Sequence, residues 1–273
     1  METVNLADNL VTSQAKIKVF GVGGGGSNAV RRMAREGMTG VDFYIVNTDA
    51  QSLLYAKNEN LTRIQIGAKV TKGLGAGGDP KVGAMAAEES LDEIRKAMRG
   101  ADMIFVAAGM GGGTGTGAAP VIGNAARESG ILTIGIVTKP FGFEGSFRRE
   151  SAEEGLAHLQ PACDTLIIIP NDRILHLCDR RTAADKAFKL ADEILYQGVN
   201  AITSVITSSG EINLDFADIK AVMKGAGPAW LSMGRATGQN RAVEAAKACI
   251  SSPLLDASMA GATAILYTFT AGS

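Results

Sequence analysis

The sequence is poor in the residues that mark disulfide scaffolds, metal sites and membrane segments. Its 273 residues include three cysteines, two histidines and one tryptophan. The cysteines, Cys163, Cys178 and Cys249, are widely spaced and form no CxxC pair, so we expect reduced thiols and no metal ligated by protein side chains. The chain has no run of about 18 apolar residues, and its N-terminal stretch lacks a signal-peptide core. We therefore expect a cytoplasmic protein that does not insert into the membrane.

An excess of charge of either sign is also lacking. Lysine and arginine number 27 against 28 aspartates and glutamates, which gives a formal net charge of -1. Without a basic stripe, a nucleic-acid partner is not expected. The histidines, His158 and His176, lack a recognisable carboxylate partner in the sequence and are expected to be structural.

Glycine, in contrast, is abundant, with 34 residues that cluster after apolar runs. Runs at 16–22, 41–47, 101–109, 131–139 and 163–171 are apolar on both faces, which is typical of buried strands in a parallel sheet. Helix-like stretches separate them, among them 80–100, with Pro80 in its first turn and Gly100 at its end. These features predict an α/β fold with a Rossmann-like parallel sheet, whose active site lies beyond the carboxyl ends of the strands.

The pattern changes after residue 171. Residues 182–205 predict one long helix, followed by short strand-like runs, a helix in "NRAVEAAKACI" and a final strand-like run in "GATAILYTFTAGS". We therefore predict a nucleotide-binding domain over 12–181, a central helix over 182–206 and a smaller α+β subdomain over 207–273.

The first glycine loop, "GVGGGGSNAV", follows a strand and opens a helix. Gly21, Gly23 and Gly26 satisfy the dinucleotide fingerprint GxGxxG, and Asp49 lies near the distance at which that fingerprint places an acid. A nicotinamide-dependent dehydrogenase is therefore one possible function. It is disfavoured because no acid or base constellation for hydride transfer accompanies the loop.

Two further glycine loops favour a triphosphate. "GMGGGTGTG" (109–117) also joins a strand to a helix, and "TKGLGAGGDP" (71–80) is a third such turn. The loop at 109–117 contains no lysine and is therefore not a P-loop. Backbone N–H groups, the hydroxyls of Thr114 and Thr116, a helix dipole and Mg²⁺ on the phosphates would have to neutralise the charge there.

"GGGTGTG" resembles the signature loop of the tubulin and FtsZ superfamily. The segments "NTDAQSL", "TKPFGFEG", "IPNDRIL" and "NLDFADIKAVM" resemble bacterial FtsZ in particular, and the resemblance extends from about residue 16 to 270. It implies a GTPase that binds GTP or GDP with Mg²⁺, forms head-to-tail filaments of itself, and acts in bacterial cell division in the cytoplasm at the division site.

The resemblance also implies a nucleotide site. Its glycine loops would hold the phosphates through Gly24, Gly25, Gly26, Asn28, Ala76, Gly77, Gly111, Gly112, Gly113, Thr114, Gly115 and Thr116. Thr138, Glu144 and Arg148 match positions near the ribose and base. Asn171 and Asp192 match positions that hydrogen-bond guanine, and Phe188 would stack on the base. A carboxylate at Asp192 can accept from guanine N1–H and the 2-amino group, a donor pair that adenine lacks.

The residues that would position the attacking water lie elsewhere. Asp215 and Asp218 are three apart, which places both on one face of a helix that begins there, although Asp215 could also serve as its N-cap. A carboxylate held permanently beside a triphosphate would repel it. By resemblance, Asn213, Asp215 and Asp218 form the synergy loop, which enters the nucleotide site of the next subunit.

The sequence departs from FtsZ in its last part. It stops at "TFTAGS", so the resemblance implies an incomplete C-terminal subdomain without the terminal peptide that binds membrane adaptors, and adaptor binding through this chain is not expected. Asp79, Pro228 and Trp230 are further departures. An assembly-defective fragment that binds GTP or GDP without turnover is therefore the alternative function.

Overall fold

A single parallel sheet of seven strands organises the protein in the computed structural model, which describes residues 15–57, 59–178, 182–207, 215–255 and 261–271. The strand order is β3-β2-β1-β4-β5-β6-β7, and every neighbouring pair is parallel. The strands are β1 (Ile17–Val22), β2 (Val41–Asn47), β3 (Thr62–Gln65), β4 (Met103–Gly109), β5 (Leu132–Lys139), β6 (Thr165–Pro170) and β7 (Gly227–Ala229). This confirms the predicted α/β class.

The chain reverses the direction in which it builds the sheet between β1 and β4. From β1 it adds β2 and β3 on one side, then crosses back and adds β4 to β7 on the other. In open α/β sheets, ligands bind in the crevice at such a switch point, outside the carboxyl ends of the strands. Here the first glycine loop follows β1 and the signature loop follows β4.

Eleven α-helices connect or follow these strands in the described ranges. They are α1 (Gly23–Arg35), α2 (Ala50–Leu54), α3 (Ala68–Thr71), α4 (Pro80–Glu89), α5 (Leu91–Met98), α6 (Thr114–Glu128), α7 (Ser146–Leu159), α8 (Asn171–Ile174), α9 (Ala184–Thr207), α10 (Phe216–Met223) and α11 (Arg241–Ile250).

The helices cover both faces of the sheet, as predicted. Ile17 and Val19 of β1 point to a core shared with α1, α9 and α10, whereas Phe20 and Val22 point to a second core shared with α4, α5, α6 and α7. Because successive side chains of a strand point to opposite faces, a strand between two helical layers must be apolar throughout. The continuous apolar runs in the sequence have this cause.

The long helix predicted over 182–205 is α9, which the structure places at Ala184–Thr207. Its buried residues include Ala191, Ile194, Leu195 and Val199, and they recur at the three- and four-residue spacing of one helix face. This face packs on the core that β4 and β5 form with α1. The predicted helix is confirmed.

The single helix predicted over 80–100 is wrong, because the structure divides it into α4 and α5 at Ser90. Ser90 lies outside helical geometry (φ -105°, ψ 17°), and its hydroxyl accepts a hydrogen bond from Gly67 N at 3.1 Å. The residue at the break is thus held by a contact outside both helices. Pro80 in the first turn and the left-handed Gly100 (φ 73°) are where the sequence predicted them.

The strand expected in the last run of the sequence is also wrong for the residues described. Residues 261–271 form neither helix nor strand, and nearly all are exposed. Their β-prone side chains have no strand beside them in the described part of the chain, so no ladder forms. The sequence did not predict β3, which is only four residues long. One of the short strand-like runs predicted after the long helix lies around Trp230, and β7 lies just before it.

Candidate nucleotide site

The three glycine loops meet at the carboxyl edge of the sheet, at the switch point. A Cβ atom added to Gly23 would lie 2.7 Å from the backbone nitrogen of Gly115, so the first loop touches the start of α6. One added to Gly113 would lie 2.8 Å from the Cβ of Ala76, so the signature loop touches the third loop. These approaches require glycine, because a side chain would collide with neighbouring backbone.

The glycines of these loops differ in what they face. Gly24, Gly25 and Asn28 are exposed, and neither Gly24 nor Gly112 has an atom within 4 Å of an added Cβ. Gly26 is instead buried, and a Cβ there would lie 2.1 Å from the carbonyl oxygen of Ala107. Gly26 therefore lets α1 pack on β4, whereas the exposed positions leave backbone open toward the crevice.

The signature loop is braced by the hydroxyls predicted to contact phosphate. Gly111, in left-handed geometry (φ 98°), donates its N–H to Thr116 Oγ1 at 2.8 Å, and Thr114 Oγ1 lies 2.7 Å from Thr48 Oγ1. Both threonines of the loop are buried. The N–H groups in the first turn of α6 have no partner within the helix, which makes this end attractive to an anion.

The third loop contributes Ala76 and Gly77. Ala76 is buried against Gly113, and Gly77 is exposed in left-handed geometry (φ 60°). Asp79, the acid that departs from the family pattern, is the N-cap of α4 and accepts from Lys81 N at 2.8 Å. Its carboxylate therefore serves a helix terminus.

The loop after β5 holds the second part of the predicted site. Thr138 is buried at the end of that strand. Glu144 accepts from Phe141 N at 2.8 Å and from Arg148 Nη1 at 2.6 Å, so the carboxylate and the guanidinium form an i,i+4 pair. The pair closes one side of the crevice.

Aromatic rings gather beside this pair. Phe188 of α9 meets Phe141 edge-on with centroids 5.1 Å apart, and Phe143 stacks on Phe141 at 4.9 Å. Phe188 and Phe143 remain substantially exposed. Sequence reasoning did not single out Phe143; the signal that could have found it is the F-G-F spacing in "TKPFGFEG". The exposed rings offer an apolar surface for a planar base.

Two polar groups, the buried Asn171 and the half-buried Asp192, complete the arrangement. Asn171 follows β6 and is buried, and its Oδ1 has no hydrogen-bond partner among the described residues. Burial raises the pKa of Asp192 on α9 to about 6, and the nearby Arg32 partly offsets this rise. A buried acceptor without a partner costs free energy unless a ligand supplies the donor.

The predicted catalytic acids lie at the other edge of the sheet. α9 ends at Thr207, whose Cγ2 lies 2.7 Å from a Cβ added to Gly40, the residue before β2. α10 ends at Met223, whose carbonyl accepts from Thr165 Oγ1 at 2.6 Å at the start of β6. The C-terminal end of α10 therefore lies at the amino edge of the sheet, and the six residues of β6, which span about 20 Å, run from there to the carboxyl edge.

On α10, Asp215 occupies the N-cap position and Asp218 the first turn, and both are exposed. The Asp215 side chain makes no capping hydrogen bond within the described residues. Asn213 lies outside the described residues. The sequence therefore predicted the helix start correctly, while the fold separates these acids from the chain's own glycine loops.

The described ranges contain no group of three or more His, Cys, Asp or Glu side chains that could hold a metal ion. None of their helices is long and apolar enough to cross a bilayer.

Comparison with known families agrees with this geometry. Residues 16–179 match the Tubulin/FtsZ family GTPase domain, and residues 227–273 match the FtsZ family C-terminal domain. The chain belongs to the tubulin and FtsZ family. This FtsZ-family chain therefore carries a GTPase domain on its parallel sheet, and its family binds GTP and GDP.

Solved structures support the assignment. An empty FtsZ dimer from M. jannaschii is 44% identical, with a TM-score of 0.86 over 91% of this chain and 72% of its own. A GDP-bound CetZ1 monomer from Haloferax volcanii is 26% identical, with a TM-score of 0.66 over 81% of this chain and 67% of its own. A GTPγS-bound CetZ2 protofilament from the same organism is 24% identical and shares the fold (TM-score 0.69; 82% and 67% coverage).

Proposed function

We propose that this FtsZ-family chain binds GTP in the crevice between β1 and β4 and hydrolyses it within a filament of its own copies. The observation that carries the binding proposal is the meeting of three glycine loops with the open first turn of α6 at the switch point. Backbone N–H groups and the helix dipole supply positive potential there. The exposed Gly24 and Gly25, and the half-buried Gly112, leave room for phosphates to approach the backbone.

Guanine would occupy the aromatic end of the crevice. Phe188 offers an exposed face for stacking, and the buried Oδ1 of Asn171 lacks a donor that the base can provide. Asp192, when ionised, would accept from N1–H and the 2-amino group. Adenine lacks that donor pair, so the desolvated carboxylate would be left unpaired with ATP, which gives the site its selectivity. Glu144 and Arg148 would flank the sugar.

Mg²⁺ would be held mainly by the phosphate oxygens. The described residues contain no carboxylate cluster for it, and the P-loop lysine is lacking from the glycine loops. A cation is the remaining source of charge that could offset a triphosphate beside backbone amides. The ion therefore belongs to the proposed substrate complex and is supplied with the nucleotide.

Hydrolysis would be completed between subunits. Asp215 and Asp218 stand at the start of α10, which ends beside the amino end of β6, whereas the glycine loops lie at the carboxyl edge of the sheet. We therefore expect these acids to reach a nucleotide only on a neighbouring copy. There, with Asn213, they would orient the attacking water against the terminal phosphate. Positioning is most of what phosphoryl transfer asks of a protein, so a site split between copies makes turnover conditional on contact.

Such a contact joins two different surfaces, the glycine-loop edge of one copy and the α10 edge of the next. A contact of this kind does not close on itself, and it generates a filament. The related structures described as an FtsZ dimer and a CetZ2 protofilament are consistent with self-association. We propose that this filament acts in bacterial cell division, in the cytoplasm at the division site.

A second candidate is a nucleotide-binding chain that does not assemble. It is favoured by the packing beyond β7: α11 has no buried residue, and residues 261–271 are almost all exposed. A weakly packed segment near the α10 edge would hold the acids in many positions. This candidate predicts GTP binding without turnover at any concentration.

Competition binding and phosphate release test the proposal together. The wild-type chain should bind GTP and GDP more tightly than ATP and should release phosphate from GTP with Mg²⁺. Asp218→Asn should bind GTP like the wild type but lose at least about tenfold in turnover, because the water loses a partner. Glu244→Gln, which removes another exposed acid of this part of the chain, should change neither. Equal turnover by Asp218→Asn and the wild type would contradict the proposed role of the acid.

A further inference from the structure

Thr48 is a fully buried polar residue that the proposed function has not used. It follows β2, has no exposed surface, and its Oγ1 lies 2.7 Å from Thr114 Oγ1, the first residue of α6. Its carbonyl accepts from Thr71 Oγ1 at 3.4 Å. The next residue, Asp49, caps α2 by accepting from Gln51 N at 2.9 Å. The backbone on both sides of Thr48 is therefore fixed.

The burial of the two hydroxyls determines the direction of the bond between them. In the described part of the chain, Thr48 Oγ1 has Thr114 Oγ1 as its hydrogen-bond partner, and either oxygen could donate. Thr48 is wholly buried, so its proton has no solvent oxygen to accept it, whereas Thr114 retains a small exposed fraction of 9% at the crevice. A buried donor left unpaired is costly. The satisfied arrangement has Thr48 donating to Thr114.

This arrangement prepares Thr114 as a donor. Once its oxygen accepts from Thr48, the Thr114 proton is free to point toward the crevice, beside the N–H groups of the first turn of α6. An anion accepts hydrogen bonds and offers no proton. A phosphate oxygen at the helix terminus would thus complete a chain in which Thr48 donates to Thr114 and Thr114 donates to the phosphate, and each bond polarises the next.

We propose that Thr48 is a positioning residue that orients the Thr114 hydroxyl toward a phosphate of the bound nucleotide. This inference rests on the proposed function, since it assumes that phosphates occupy the α6 end of the crevice. Thr48 itself touches no substrate. Thr71 Oγ1 accepts from Gly73 N at 3.3 Å and lies 3.0 Å from Gly67 O and 3.4 Å from Thr48 O, so the third glycine loop packs beside the backbone of Thr48.

Competition binding with GTP, GDP and guanosine separates this role from a structural one. Thr48→Val keeps the shape of the side chain and removes the hydroxyl, and it should weaken GTP and GDP about tenfold while guanosine, which has no phosphate, binds as to the wild type. Thr48→Ser should restore both nucleotide affinities. Thr133→Val removes another fully buried hydroxyl, one that donates to Ile131 O away from the crevice, and should leave all three affinities unchanged.

Three outcomes overturn the inference. If Thr48→Val binds GTP and GDP as tightly as the wild type, the hydroxyl does not position Thr114. If the substitution weakens guanosine equally, the effect is a general disturbance of the fold. A wild-type chain that binds no guanine nucleotide overturns the proposed function itself, and the role of Thr48 with it.

Discussion

At the scale of single residues, the proposed guanine recognition depends on two polar groups that are withdrawn from solvent before any ligand arrives. Asn171 has an acceptor without a partner, and the pKa of Asp192 is raised to about 6 because burial disfavours its charged form. Both groups gain from a ligand that supplies donors. Keeping these two groups without donors costs free energy in the ligand-free protein, and we expect bound guanine to offset that cost.

Asp192 makes the guanine affinity depend on pH. The ionised carboxylate is the form that accepts from guanine, so affinity should be constant above about pH 7 and fall up to about tenfold per unit below pH 6. Asp192→Asn should bind more weakly at neutral pH by about tenfold or more, because a charged acceptor is lost. It should also lose this pH dependence. Isothermal titration of GDP from pH 5 to 8 measures the affinity and its pH dependence for the wild type and the variant. Protonation of the phosphates affects both proteins equally, so the difference between them reports on Asp192.

The same group affects folding with the opposite sign. Its pKa is higher in the folded protein than the ordinary value of 3.8, so the folded state binds the proton more tightly than the unfolded chain does. The contribution of Asp192 to the free energy of unfolding therefore decreases as pH rises from about 4 to 6 and then stays constant. Urea unfolding of the wild type and Asp192→Asn should differ in this window. Parallel curves would contradict the raised pKa.

The sequence predicted which loops form the candidate site, but it did not predict what surrounds each residue in them. The loops "GVGGGGSNAV" and "GMGGGTGTG" predicted a phosphate site, and the fold brings them together. That Gly26 packs against Ala107 while Gly24 stays open depends on how α1 crosses β4, and nothing local in a run of four glycines distinguishes them. Likewise, the partnership of Thr48 with Thr114 joins residues 66 apart in the chain. The assignment of individual residues to nucleotide groups stays a prediction.

At the scale of elements, the helix α1 must approach β4 closely for the first loop to sit beside the signature loop. Gly26 provides that approach, since a Cβ added to it would lie 2.1 Å from Ala107 O, and Gly21 lets α1 lie close to β1, since a Cβ there would lie 2.4 Å from Gly26 O. In the interior of a closely packed core, backbone has little freedom to move aside. The geometry of the crevice and the stability of the fold therefore depend on the same contact.

A pair of glycine variants tests this dependence. Gly26→Ala should lower the free energy of unfolding by about 1–3 kcal/mol, the usual cost of overpacking a core. Gly24→Ala, beside open space, should leave unfolding within about 0.5 kcal/mol of the wild type and should weaken GTP, because the methyl group enters the proposed phosphate position. Urea denaturation measures the free energy of unfolding, and competition binding measures the affinity for GTP. Equal stability of both variants would contradict the packing role of Gly26.

The sequence predicted those strands and helices whose apolar pattern is long and continuous. Five strands and α9 were predicted because burial on both faces, or along one helix face, imposes an unmistakable apolar pattern. The short β3 has exposed residues on an edge of the sheet and leaves a weak pattern. The break between α4 and α5 follows from the bond between Ser90 and Gly67, a tertiary contact that no local pattern contains. The division into units at 12–181, 182–206 and 207–273 stays a prediction.

At the scale of the whole molecule, two edges of one sheet carry two halves of the proposed chemistry. The 24 residues of α9 span about 36 Å and run from the aromatic rings at the nucleotide edge to Gly40 at the other. The end of α9 and the end of α10 both lie at the edge opposite the chain's own glycine loops. Turnover would then require a neighbour.

Mixing two variants tests whether the halves act across copies. Asp218→Asn keeps its nucleotide site, and Gly112→Trp, which fills the open space beside the signature loop, should lose nucleotide binding while keeping its acids. Each alone should hydrolyse GTP poorly. If filaments mix at random, an equal mixture should recover about one quarter of wild-type turnover, since one contact in four pairs an intact site with intact acids. A mixture no more active than the average of the two variants would place the acids in cis.

The most direct measurement of the central claim is phosphate release from GTP with Mg²⁺ as a function of wild-type protein concentration. A site shared between copies predicts that turnover per molecule is close to zero in dilute solution, rises above a threshold concentration and then levels off as contacts saturate. Turnover per molecule that is the same at every concentration would show that one copy completes the reaction alone, and it would contradict the account.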